Sequence, residues 1–515
     1  MNDEPEMQGP ISVVTFRNGA SAKPLLILLT HGSELTPLAR LSSFLRGDFP
    51  VRCLQLEEPS KSVSVENIAR RYVDKLRALQ PDGPYRLLGY GVVGLIVYEV
   101  AAQLIGADQR VEFIGLIDTP RPNNESRRGQ QSAQTFSRLA GMTHRYCPQP
   151  LSAEVHLFNP DGAFAADGAR AWRSLLNQKA IVNTIECPTE LLFSEPNVQM
   201  LAGKVCEALD RAAKVKVRVP ERDYSPLIAI QAGDLSAPAI FCVPGAGANV
   251  TSFMSLATAL GSGNSIYGLQ PRGLDGSLVP HSSISAAAEA YVSAVRSVQP
   301  GGPYRLVGHS FGGWVILEMA HRLLAAGERV EPLVVLDSEC PSPRRASRRY
   351  SQIGALLKLA AILETASGHR LHLTRAQIED VDRDAQLVLM ERMKAAGLLT
   401  RANTLAVVRG MARVFSTNLN TPYVPTSTYP GHMLLVKAAE EVEHNSEDSE
   451  MEIDETLPEN EWTDHVATVE RIELPGNHMT LLKQPNIDAI SQHLIRVWET
   501  WRHAIRKQGP RKLTS

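Results

Sequence analysis

The chain predicts an α/β protein of two tandem domains, each a mainly parallel sheet flanked by helices. Three observations predict it. At 515 residues the chain exceeds the span of one ordinary core. Residues 80–94 (QPDGPYRLLGYGVVG) and 299–313 (QPGGPYRLVGHSFGG) repeat one another without a gap. Around both, short apolar runs alternate with amphipathic stretches, as strands and helices do in a parallel sheet. The expected domains span residues 10–225 and 226–505. The join near residues 224–235 has no Gly/Ser-rich or Pro-rich linker.

Each copy opens on an apolar run of strand type, residues 24–30 (PLLILLT) and 238–243 (PAIFCV). A Gly-containing turn follows, His31-Gly32-Ser33 or Pro244-Gly245-Ala246. A helix-like segment leads to a second short strand, residues 51–56 and 265–269. Residues 65–79 and 284–298 read as amphipathic helices; in the second, Ala288, Tyr291, Val292 and Val295 recur at helical spacing. The repeat then supplies a strand, a tight turn and a very apolar helix. A further strand ends at Ile117-Asp118-Thr119 in one copy and at Leu336-Asp337-Ser338 in the other. Beyond it the copies diverge. The second carries a helical insertion over residues 348–417, where Thr374 to Gln377 reads as a capping box and Leu387, Met390 and Met393 keep helical spacing. Closing strands are expected at residues 189–193 and 215–219 in the first copy, and at 433–437 and 469–474 in the second.

Composition excludes several function classes. A net charge of −2 gives no bulk attraction to nucleic acid or to a membrane surface. The six cysteines (Cys53, Cys147, Cys187, Cys206, Cys242, Cys340) have neither metal-type nor paired spacing, so reduced thiols in the cytoplasm are expected and no metal. The opening MNDEPEMQGP has no basic-then-apolar leader. The most apolar stretch, from Leu87 on, is broken by Glu99 and falls short of the about 20 residues a membrane span needs. Residues 440–461 are rich in Glu and Asp and read as a solvated loop.

The second copy carries the chemistry. Gly308-His309-Ser310-Phe311-Gly312 fits the nucleophile elbow G-x-S-x-G, set between an apolar strand (residues 304–307) and a helix (313–325). The turn is sharp, so its flanks need residues without bulk, and Gly308 and Gly312 supply them. A serine hydroxyl is a poor nucleophile until a base takes its proton. On such a frame the partners follow in the order Ser, acid, His. Asp337 ends the next strand; Glu339 is a close rival, and Glu440 or Glu441 is the acid if it follows the next strand instead. His478 follows the last strand. The other histidines fit worse: His432 precedes a strand, His444 and His465 flank the acidic run, and His321, His369 and His372 lie in or beside helical segments. Two N–H groups must hold the developing oxyanion. Phe311 supplies one; Ala246 is chosen for the other, with Gly245 as the alternative. His309 reads as a packing neighbour. Gly273-Leu274-Asp275-Gly276-Ser277 reads as a surface turn.

With these residues in place, the second copy resembles the thioesterase domains of non-ribosomal peptide and polyketide synthases, from Ser236 to about Trp501. The resemblance rests on Phe241-Cys242-Val243-Pro244-Gly245-Ala246-Gly247, on residues 303–313 around Ser310, on Leu336-Asp337-Ser338, Tyr429-Pro430-Gly431 and Trp462, and on Pro475-Gly476-Asn477-His478. It implies an α/β-hydrolase fold with a helical lid over about residues 345–420. It implies catalytic Ser310, Asp337 and His478, with Ala246 and Phe311 as the oxyanion hole. It further implies no bound cofactor: the acyl chain arrives on the phosphopantetheine arm of an acyl or peptidyl carrier protein, moves to the serine, and leaves by hydrolysis or cyclisation. No carrier or condensing domain precedes the two copies, which fits a free-standing protein or a piece of a larger synthase. Arg344, Arg345, Arg348 and Arg349 read as a solvated helix start, with contact to an acidic carrier as the alternative.

The first copy resembles the same family less closely, from about Ile11 to Tyr224. Gly91 stands where Ser310 stands, and Asp118 matches Asp337. Aligning residues 218–223 on 473–478 puts Asp223 at the histidine's place. Nucleophile and base are both missing, so this copy is expected to be catalytically dead and to serve stability first. Competing readings of the whole chain are a proofreading thioesterase that clears stalled carriers, an acyltransferase that joins the chain to a separate amine or alcohol, and a non-catalytic scaffold.

Overall fold

The computed structural model describes every residue except 1–10, 31–34, 57–63, 121–145, 147, 152, 161–169, 171, 174, 177–179, 215–223, 235–236, 380–384, 400–403, 441–450 and 509–515. The chain divides into two compact units, Met1–Arg222 and Asp223–Ser515.

The first unit runs β1 (Ile11–Arg17), β2 (Leu25–Thr30), α1 (Leu35–Phe44), β3 (Val51–Leu56), α2 (Val65–Leu79), β4 (Tyr85–Tyr90), α3 (Val93–Gly106), β5 (Val111–Ile117), β6 (Val155–Pro160), β7 (Ala180–Ile185) and α4 (Asn197–Lys214). The second runs β8 (Leu227–Gln231), β9 (Ile240–Val243), α5 (Met254–Leu260), β10 (Ile266–Leu269), α6 (Ile284–Val298), β11 (Arg305–His309), α7 (Phe311–Ala325) and β12 (Leu333–Leu336). It continues through the insertion helices α8 (Gln352–Ser367), α9 (Arg375–Glu379), α10 (Ala385–Ala395) and α11 (Leu405–Leu419), then β13 (Tyr429–Glu440), β14 (Val466–Asn477) and α12 (Asn486–Gln508).

The two sheets share one topology. Their orders are β1-β3-β2-β4-β5-β6-β7 and β8-β10-β9-β11-β12-β13-β14. The edge strands pair antiparallel within their own sheets, β1 with β3 and β8 with β10, and the described pairings among the other sheet strands are parallel. Central strands are buried on both faces, which explains their unbroken apolar runs: all six residues of β2 are buried. Side chains alternate between faces. Phe241 and Val243 of β9 join a core with α6 and α7, whereas Ile240 and Cys242 join a core with α5 and α12. Among the described residues, no helix is long and apolar enough to cross a membrane.

The first unit corrects one expectation. Residues 189–193 are not a strand: Thr189–Leu191 is a 3-10 turn, and Leu192 drops into the core formed with α1 and α4. The strand that pairs with β6, as β14 pairs with β13, is β7. The strand expected at residues 215–219 lies outside the described residues. The sheet order aligns β7 with β14, which puts the histidine's place after β7 rather than at Asp223, a residue that lies outside the described ones. Ile185-Glu186-Cys187-Pro188 matches Ile472-Glu473-Leu474-Pro475, and Pro196-Asn197 matches Pro485-Asn486. The position falls on residues 189–191, where Glu190 stands.

In the second unit the insertion forms a lid with its own core, including Leu356, Leu389, Met393 and Phe415. Half of the expected capping box forms: Thr374 N–H donates to Gln377 Oε1 at 3.2 Å, but Gln377 N–H donates to the Thr374 carbonyl. Gly273 to Ser277 is more than a surface turn. A Cβ at Gly410 of α11 would lie 2.5 Å from Leu274 O and 2.5 Å from Gly276 N, so the turn seats the lid helix.

Candidate active site

β11 ends at His309, and α7 begins at Phe311, two residues earlier than expected. Ser310 makes the whole turn with φ 52° and ψ −124°. A non-glycine residue there costs about 1–3 kcal/mol, which the surrounding contacts must overcome. Ser310 N–H donates to Leu336 O (2.9 Å) and Gly313 N–H to Ser310 O (2.8 Å). The flanking glycines are forced. A Cβ at Gly308 would sit 2.5 Å from Gly312 O, and one at Gly312 would sit 2.2 Å from Val243 O.

Parallel strands bring their carboxyl ends to one rim, where this turn meets the ends of β12 and β14. Asp337 follows β12 in a left-handed conformation (φ 47°), its N–H donating to Val436 O. His478 Nδ1 donates to Asp337 Oδ2 at 2.8 Å. The His478 loop is tied down by short-range bonds. Asn477 Oδ1 accepts from Met479 and Thr480 N–H, and Asn486 Nδ2 donates to Pro475 O. Gly476 at φ 88° allows the bend.

Of the rival acids, Glu339 is turned away, held by Arg345 (2.5 Å) and Arg348 (2.6 Å). Glu440 is exposed at the end of β13, and Glu441 lies outside the described residues. The basic cluster is not a bare helix start. Arg344, Arg345 and Arg348 pair with Glu339, Glu455 and Glu459, so the described part of the acidic run folds back on it. Trp462 Nε1 donates to Ser338 O and fixes the residue after Asp337.

One contact escaped sequence reasoning. Lys437 Nζ lies 2.9 Å from Asp337 Oδ1, which also accepts from Ala438 N–H at 3.2 Å. Burial pushes the Asp337 carboxyl up, but the hydrogen bonds and charges of His478 and Lys437 outweigh it and hold it well below the usual carboxylate range. His309 stacks on His478 (centroids 4.7 Å apart), and its Nε2–H donates to the His478 carbonyl at 3.3 Å. Burial first, then the charge of His478, push His309 down to about 3, so it stays neutral and packs. His309, directly before Ser310, packs as the sequence suggests; a lysine ending an apolar strand gave no signal.

The loop after β9 passes beside Ser310. A Cβ at Gly245 would lie 3.2 Å from Ser310 Cβ. Ala246 packs against the lid core, and a Cβ at Gly247 (φ 63°) would lie 2.7 Å from Phe415 Cβ on α11. Lid and loop are thus one packed unit. Phe311 opens α7 and packs beside Trp314.

The first unit keeps the frame and loses the groups. Gly91 has φ 58°, with the same pair of backbone bonds to Ile117 O and from Gly94 N–H. Asp118 has φ 44° and donates N–H to Phe158 O. Tyr90 packs edge-on against Phe193 where His309 stacks on His478. Burial, then the charge of Glu190, push Asp118 up to about 6. His31, Gly32 and Ser33 lie outside the described residues.

The paired sheets, the helical lid and the strained strand-to-helix turn define two tandem α/β-hydrolase domains. The thioesterase domain model matches residues 38–186 and 238–497, and the chain belongs to the thioesterase domain family. Among curated relatives, indigoidine synthase of Dickeya dadantii (strain 3937) is 34% identical over 171 residues, 33% of this chain and 11% of that protein. The dimodular nonribosomal peptide synthase of Bacillus subtilis (strain 168) is 36% identical over 147 residues, 28% of this chain and 6% of that protein. The chain therefore spans a small part of the length of these relatives. Among solved structures, the RedJ thioesterase from the prodiginine pathway of Streptomyces coelicolor is 22% identical, with a TM-score of 0.35, covering 52% of this chain and 93% of that one.

Proposed function

We propose that the second unit releases an acyl or peptidyl chain from a carrier protein through an acyl-enzyme on Ser310. Ser310 Oγ attacks the thioester joining the chain to the carrier's phosphopantetheine arm. His478 takes the hydroxyl proton; Asp337, bonded to Nδ1, fixes the tautomer and stabilises the imidazolium. The Phe311 and Ala246 N–H groups receive the oxyanion. The thiol leaves with the proton from His478. Water, or a hydroxyl or amine of the chain, then attacks the ester, giving hydrolysis or cyclisation. The carrier is the partner, and the buried, unpaired described cysteines fit work in the cytoplasm.

The observation that carries this reading is the 2.8 Å bond between His478 and Asp337 at the rim that holds the strained Ser310 turn. The first unit is inert in this reading, with Gly91 in place of Ser310 and no histidine at the position of His478, and serves stability. Mixing the protein with an acyl-loaded carrier and measuring intact mass tests it. The acyl increment is expected on Ser310 and absent from Ser310→Ala protein. Release by Ser310→Ala protein at the wild-type rate overturns it.

A further inference from the structure

Asp337 is shared between two nitrogen partners, an imidazole and an ammonium. Oδ2 faces His478 after β14, and Oδ1 faces Lys437 on β13. The register makes this placement specific. Val436 pairs with Leu336, so the next residue, Lys437, arrives opposite Asp337. In the first unit Phe158 pairs with Ile117, and the next residue is Asn159. The same backbone thus carries the cation where the nucleophile is present and an amide where it is absent.

The chain contains its own electrostatic contrast. Among the described residues Asp118 has no imidazole partner; Glu190 is nearby, and the Asp118 carboxyl is pushed up to about 6 by burial and then by that charge. Asp337 moves the other way. The Lys437 side chain is 30% exposed, so its charge is screened in part and not abolished.

We propose that Lys437 is a positioning residue for the Ser310 reaction: it holds Oδ1 so that Oδ2 faces His478, and its charge opposes the imidazolium that His478 must become. This rests on the acyl-enzyme reading above. The other ionisable groups at the rim do not substitute for it. His309, stacked from the β11 end, is neutral. Glu339 is engaged by Arg345 and Arg348, and Glu440 is exposed at the end of β13. Opposing the imidazolium keeps the base available at lower pH. Removing the cation stabilises the protonated ring and silences the base over a wider acidic range.

The test is the pH dependence of Ser310 labelling by a fluorophosphonate probe. Lys437→Gln and Lys437→Asn are compared with wild type; the second installs the residue the first unit carries there, which that backbone accommodates. Both are expected to move the acid limb up by about 0.5–1 pH unit. Lys437→Arg, which keeps the cation, is expected to retain the wild-type limb. A limb that stays put or moves down in both neutral variants, with wild type labelled normally, overturns the proposal alone. Wild-type protein that never labels overturns the acyl-enzyme reading and this proposal with it.

Discussion

Asp118 and Asp337 occupy the same turn of the same frame, with φ of 44° and 47°, and their carboxyls are pushed in opposite directions. One faces a neighbouring carboxylate, the other an imidazole and an ammonium. Asp118 ionises at about 6 in the fold, above its unfolded value near 3.9. The stability it contributes is therefore present below about pH 4 and lost as pH rises through about 6. Asp337 contributes stability above about pH 4, lost as pH falls through its lower folded value. Asp118→Asn removes the charge that costs stability. It is expected to raise the unfolding temperature by about 2–4 °C at pH 8 and by less at pH 5. A larger gain at pH 5 would contradict the environment described for Asp118.

The choice between Asp337 and Glu339 gives a second prediction. Asp337→Asn leaves His478 without an anionic partner, and loss of acyl turnover by about 10³–10⁴-fold is expected. Glu339→Gln loosens only the ion pairs with Arg345 and Arg348 at the lid's start, where a change within about twofold is expected. Steady-state turnover of a carrier-mimicking thioester compares them. Equal losses in the two variants would reassign the acid.

Much of this site is legible because the backbone dictates it. Gly308 and Gly312 are required by contacts of 2.5 Å and 2.2 Å that any Cβ would make, so the elbow is written into residue type. His478 could be chosen by its place after the last apolar strand. Lys437 could not, because a lysine at a strand end ordinarily faces water, and its partner depends on register with β12. The first unit's closing strand was hidden for another reason. AIVNTI in β7 is interrupted by a polar Asn-Thr pair, whereas residues 189–193 end in the unbroken Leu191-Leu192-Phe193, which follows a sheet strand as a turn. The Ile-Glu-x-Pro match between the copies was the overlooked clue.

The close seat of α11 on the turn at residues 273–276 gives a third prediction. A methyl at Gly410 would lie within 2.6 Å of three backbone atoms, so α11 must lift. Gly410→Ala is expected to cost about 1–3 kcal/mol of stability. Phe415 of the same helix packs on Gly247, beside the loop proposed to bind the oxyanion, so turnover should fall as well. Thermal unfolding with thioester turnover checks both. Unchanged stability would mean the helix does not rest on that turn.

The first unit offers a test of how much of a hydrolase survives when only the frame is kept. Gly91 holds the elbow conformation at φ 58°, and a Cβ there meets nothing within 4 Å. Gly91→Ser should therefore fold, at a cost of about 1–2 kcal/mol for a side chain in the left-handed region. Among the described residues, a restored hydroxyl still finds no base. Glu190 stands near Asp118 where an imidazole is needed, and His156, buried in the sheet, stacks with Phe113 and Phe158 rather than facing the turn. Burial, then Arg211, push His156 down to about 4, so it is neutral core. In a Ser310→Ala background, Gly91→Ser protein is expected to stay unlabelled by a fluorophosphonate. Labelling of the introduced hydroxyl would mean that this unit carries a base of its own and that Gly91 alone separates it from the second unit's chemistry.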